Sequence, residues 1–115
     1  MFLNLNALLL LIFMAIPSNV SLIKFPVLDE VDEALFTTAL EHFFRKVSVD
    51  GKDCQLSLSM KEYKKGGLRS QHELHASLRL GNKSFFAHET GWLLLEVVQS
   101  VLKKLEKEVL KQHSK

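Results

Sequence analysis

The stretch ELHASLRLGNKSFFAHE, residues 73–89, decides the fold. Leu74, Ala76, Leu78 and Leu80 alternate with His75, Ser77 and Arg79, the period of two that marks a strand with one buried face. Gly81-Asn82 is a good two-residue hairpin turn, so Lys83–Glu89 returns as the next strand. Upstream, Cys54, Leu56, Leu58 and Met60 alternate in the same way with Gln55, Ser57, Ser59 and Lys61. Between these strands YKKGGLRSQ, residues 63–71, breaks the alternation with paired glycines and reads as a loop.

Outside the strands the period changes. Val31, Leu35, Phe36, Ala39, Leu40, Phe43 and Phe44 recur every three or four residues, which predicts a helix over Asp29–Lys46 with one wide apolar stripe. Its acids crowd the first turn and Arg45 and Lys46 close the last, as the helix dipole favours. A second helix is expected from about Gly91 to Gln112, with Leu94, Leu95, Val98, Val101, Leu102, Leu105 and Val109 on its buried stripe. Val20–Phe25, ended by Pro26, reads as a short first strand. The expected class is therefore α+β: a β-α-β-β-β-α two-layer sandwich, with two helices on one face of a four-stranded antiparallel sheet. Ser57, Ser59, Lys61, His75, Ser77 and Arg79 should then line the other face.

At 115 residues the chain can bury one two-layer core without staples. Its lone cysteine, Cys54, forms no internal disulfide and favours a reducing compartment. N-x-S sequons at Asn19 and Asn82 carry meaning only in a secreted chain. The apolar run LLLLIFMAIPSN, residues 8–19, is too short to span a bilayer. It also lacks the cationic start and small-x-small cleavage site of a secretion signal.

Chemistry-bearing constellations are sparse. His72, His75 and His88 suggest a metal, but His72 and His75 have opposite strand parity and no second cysteine completes a set. Glu62, Glu73 and Glu89 offer carboxylates without a pattern that pairs them. Nucleophile-elbow, Walker and Rossmann motifs are absent. The expectation is a non-enzymatic protein with no metal and no cofactor.

Charge is more informative. Residues 1–51 carry three basic and six acidic side chains, whereas from Lys52 onward twelve basic residues face seven acidic ones. Lys103, Lys107 and Lys111 stand four apart on the last helix, with Lys104 beside them. Lys61, Lys64, Lys65 and Arg69, followed by Arg79 and Lys83, form a second basic group. Pairing with Glu106 and Glu108 is the plain reading of the helix lysines. Two basic groups on one small sandwich point instead to the phosphates of RNA.

With these elements in place, the chain resembles the short ribosome hibernation-promoting factors and ribosome-associated inhibitors. Members of that family have the β-α-β-β-β-α order and a last helix of the form Asp-x-Tyr-x-Ala-Ile-Asp-x-Ala-x-x-Lys-Leu-x-x-Gln-Leu. In LLLEVVQSVLKKLEKEVLKQH, residues 93–113, Lys104-Leu105-Glu106-Lys107 takes the Lys-Leu-x-x place and Val98 the Ile place. Leu93-Leu94-Leu95 replaces the opening Asp-x-Tyr, Gln99 the central Asp and Glu108 the later Gln. The resemblance spans residues 18–113. It implies a cytoplasmic translation inhibitor that binds the small ribosomal subunit and its rRNA, occludes the mRNA and tRNA path, and takes no small-molecule substrate.

Family members start just before their first strand. Residues 1–13 are accordingly expected to be an extension upstream of a start at Met14, leaving 14–115 as one ribosome-binding domain. Two alternatives stand beside this reading. One is a small secreted or envelope interaction protein using residues 1–18 as a targeting segment. The other is a double-stranded-RNA-binding module, which shares the α-β-β-β-α core.

Overall fold

Leu78 lies opposite Leu56 on one neighbouring strand and Phe85 on the other, and this triple sets the register of the sheet. The computed structural model describes residues 19–47, 54–64 and 70–113. Its elements are β1 (Val20–Ile23), α1 (Glu30–Val47), β2 (Cys54–Lys64), β3 (Ser70–Leu80), β4 (Lys83–Gly91) and α2 (Leu94–His113). The strands lie in the order β1-β2-β3-β4. The α+β class and the four-stranded sheet carrying two helices are those expected.

The sheet is mixed rather than wholly antiparallel. β1 runs parallel to β2, with Val20 opposite Leu56 and Ile23 opposite Ser59. A parallel pair needs a crossover long enough to return the chain, and α1 supplies it. Asn19 fastens the entry to β1, donating its side-chain amide to the Cys54 carbonyl at 2.8 Å while its own carbonyl accepts from Leu56 at 3.0 Å.

The strands also run farther than the apolar alternation. β2 and β3 stay paired through Lys61↔Glu73, Glu62↔His72, Tyr63↔Gln71 and Lys64↔Ser70. Lys61–Lys64 are exposed, so this end of the hairpin extends beyond the helices and has no apolar side to reveal it in sequence. Of the expected loop, residues 65–69 lie outside the described residues. The turn between β3 and β4 forms at Gly81-Asn82, where Gly81 takes a φ of 60° that a side chain would strain.

One face of the sheet carries the core. Leu56, Leu58, Met60, Leu74, Ala76, Leu78 and Phe85 are buried beneath Phe36, Leu40, Phe43 and Val47 of α1 and Val98, Val101, Leu105 and Val109 of α2. The buried stripe of α1 is narrower than expected, because Val31 and Leu35 are 69% and 50% exposed. Asp29, just before α1, caps it: its carboxylate accepts from the Asp32 amide at 2.8 Å, satisfying a donor the helix leaves open. α2 begins later than Gly91, which remains in β4 opposite His72. A β-carbon at Gly91 would stand 2.8 Å from Val97 Cγ2, so this glycine permits the close approach of strand and helix.

Candidate nucleic-acid interface

The side of the sheet away from the helices is built in cross-strand rows. Gln55, Arg79 and Ser84 form the first; Ser21, Ser57, Ser77 and Phe86 the second; Ile23, Ser59, His75 and His88 the third; Lys61, Glu73 and Thr90 the fourth. Residues two apart on a strand share a face and sit about 7 Å apart. Ser57, Ser59, His75, Ser77, Phe86 and His88 help to line a shallow groove of about 260 Å³. A second groove of similar volume, lined by Leu22, Phe25 and Phe36 with Glu33 at its side, is mostly apolar and has no basic residue in its lining.

His75 and His88 stack with ring centroids 5.6 Å apart and an interplanar angle of 26°. His75 Nε2 donates to Glu73 Oε1 at 2.6 Å. Hydrogen bonds from His75 and then Tyr63 hold the Glu73 carboxyl below its ordinary pKa, and the same bond raises that of Tyr63. Glu73 is the only carboxylate at an open-face strand position among the described residues, and two neighbours already engage it. Arg79 and Lys61 are exposed at opposite ends of the rows.

The expected basic residues therefore divide into separate groups. Lys61 and Arg79 occupy the open face, six residues apart in register, or about 20 Å. Lys64 and Lys83 have the parity of the covered face and are exposed at strand ends. Lys65 and Arg69 lie outside the described residues. Lys103, Lys107 and Lys111 are exposed on α2, in the helical layer across the sheet from Lys61 and Arg79.

Lys104 is already occupied. Its Nζ stands 2.9 Å from Glu89 Oε2 and donates to the His88 carbonyl at 3.0 Å. Glu89 also accepts from the Ser100 hydroxyl at 2.8 Å and from the Thr90 amide. Lys104, then Ser100 and Thr90, push its carboxyl down to about 2. This cluster ties α2 to β4. Glu106 pairs with Lys46 of α1 at 3.5 Å, rather than with a lysine of its own helix.

The carboxylates raised from the sequence as a possible pair are separated among the described residues. Glu73 and Glu89 take opposite faces of the sheet. Burial pushes the Cys54 thiol up to about 11, which keeps it protonated and unreactive near neutral pH. His72 falls on the covered face, with Nδ1 buried and without a hydrogen-bond partner. Among the described residues no group of three His, Cys, Asp or Glu side chains could hold a metal, and no helix is long and apolar enough to cross a membrane.

Phe86, His88 and Tyr63 were not among the open-face residues expected from sequence. A signal for Phe86 existed: a two-residue turn after Leu80 places it opposite Ser77. The adjacent phenylalanines made the parity of KSFFAHE ambiguous until the turn was used to count it.

No family model matches the chain, and no curated protein matches it by sequence. Solved structures match its fold. A ribosomal subunit interface protein from Coxiella burnetii superposes with a TM-score of 0.63 at 12% identity, covering 84% of this chain and 98% of that one. The N-terminal domain of Thermus thermophilus Protein Y gives a TM-score of 0.52 at 12% identity, covering 78% and 91%. The family resemblance carried by the last helix is thus accompanied by a shared fold.

Proposed function

We propose that this protein is a ribosome-associated translation inhibitor of the hibernation-promoting kind. The observation that carries the reading is the near-complete coverage of the Coxiella ribosomal subunit interface protein by this fold. The chemistry is compatible: Lys103 and Lys107 are exposed on one side of α2, with no ion pair among the described residues. In this reading α2 meets rRNA phosphates of the small subunit through Lys103, Lys107 and Lys111. The body of the domain fills the path of mRNA and tRNA. Inhibition is steric, so no side chain performs covalent chemistry. The protein works in the cytoplasm, where ribosomes are.

Co-sedimentation of the full chain with bacterial ribosomes and isolated small subunits tests this. Binding should weaken with salt, each neutralised phosphate adding roughly 0.7 to 0.9 to the log–log slope. Excess mRNA and tRNA should displace the protein. Lys103→Glu combined with Lys107→Glu should lower affinity and flatten the salt dependence with an unchanged circular dichroism spectrum. Failure of the native protein to travel with either particle at low salt would refute the proposal, and unchanged binding by the double variant would refute the role of α2.

A further inference from the structure

We infer that the open face of the sheet binds a short single-stranded segment of RNA, with Phe86 as the stacking platform for one base. Phe86 is 71% exposed in the middle of β4, and its partners across the sheet are Ser77 and Ser57. These small side chains leave the ring standing above the row. In the next row, about 7 Å away, His75 and His88 present a second, already stacked aromatic surface. Arg79 lies one row beyond Phe86, and Lys61 one row beyond the histidines.

The face thus reads cation, aromatic, aromatic, cation at nearly even intervals. A single strand has the matching order of phosphates flanking exposed bases. Aromatic rings accept bases of any sequence because each has a π-face, and a four-stranded sheet can hold about two or three bases in this way. The serine hydroxyls both donate and accept, so they can meet base edges without selecting one strongly. Glu73 keeps its negative charge opposite Lys61 in the same row, so Arg79 is the stronger phosphate contact of the two. A duplex fits less well, since its bases cover one another and its backbone would meet the ring first. An apolar protein segment would have to desolvate Arg79, Lys61 and the hydroxyls to reach Phe86 and, two strands beyond the histidine pair, Ile23. The inference rests on the proposed function only in taking RNA as the ligand class.

Fluorescence anisotropy of the full chain with end-labelled ten-nucleotide uridine and adenine RNAs tests it. Phe86→Ala should weaken binding roughly tenfold, whereas Phe86→Trp should retain it. Because the ring is exposed, both variants should keep the native circular dichroism and urea midpoint. Equal affinity of Phe86→Ala and the native chain, or native binding only to a blunt duplex of the same length, would overturn the inference. So would a native dimer that Phe86→Ala converts to monomer, read by sedimentation equilibrium, with RNA affinity unchanged. Ribosome co-sedimentation separates the two proposals. Native ribosome binding with Phe86-independent oligonucleotide affinity removes this inference alone; Phe86-dependent oligonucleotide binding without ribosome binding removes the proposed function alone.

Discussion

β3 contributes to two unlike surfaces with one run of residues. Leu74, Ala76, Leu78 and Leu80 disappear beneath the helices, while Glu73, His75, Ser77 and Arg79 remain on the open side. Apolar packing fixes the first surface, and its members have few acceptable substitutes. The second is fixed only by the register that the first imposes. Its side chains are therefore available for binding, because the fold does not depend on their identity.

The sharpest way to break this contrast is a pair of adjacent truncations. Leu78→Ala removes a side chain with no solvent exposure and should cost about 2 to 5 kcal/mol in urea unfolding. Ser77→Ala, on the other face, should stay within about 0.5 kcal/mol. Equal costs would mean that the open face is a second structural surface.

Gly91→Ala probes the edge of the covered face, where the new methyl would meet Val97 Cγ2 at 2.8 Å. The expected loss is about 1 to 3 kcal/mol, recovered in part when Val97→Ala is added. A neutral result would show that strand and helix separate there without resistance.

The smallest effect concerns the two tethered carboxylates, one on each face. Glu89 connects β4 to α2, and its pKa is lowered from 4.5 to about 2. Its contribution is complete above the ordinary value and is lost as pH falls towards the folded one. Urea midpoints measured at about pH 5 and about pH 2.5 should converge more for Glu89→Gln than for the native protein. An identical acid response would remove Glu89 as a coupling between the layers.

Much of this architecture was legible because apolar spacing reports burial. Cys54–Met60 and Leu74–Leu80 announced both their strands and their buried parity. The direction of β1 was not legible, since four residues carry no mark distinguishing a parallel from an antiparallel neighbour. Tyr63, Lys64, Ser70 and Gln71 read as loop, yet they pair across β2 and β3, because this end of the hairpin passes beyond the helices, where alternation has nothing to report. Val31 and Leu35 matched the helical period yet lie off the line through Phe36, Leu40, Phe43 and Val47. Lys104 was readable as a cation, but the carboxylate that holds it comes from a distant strand.

The parallel pairing of β1 also carries a temporal consequence. The β3–β4 hairpin closes through two residues and the β2–β3 hairpin through a short connection, so each needs little loss of chain freedom before its ladder begins to form. Val20 must instead find Leu56 across the whole of α1, and only four residues of ladder reward that search. Loop closure at long separation is the slow step in assembling a sheet. β1 is thus expected to be the last strand to join, and its amides the first of the sheet to exchange with solvent.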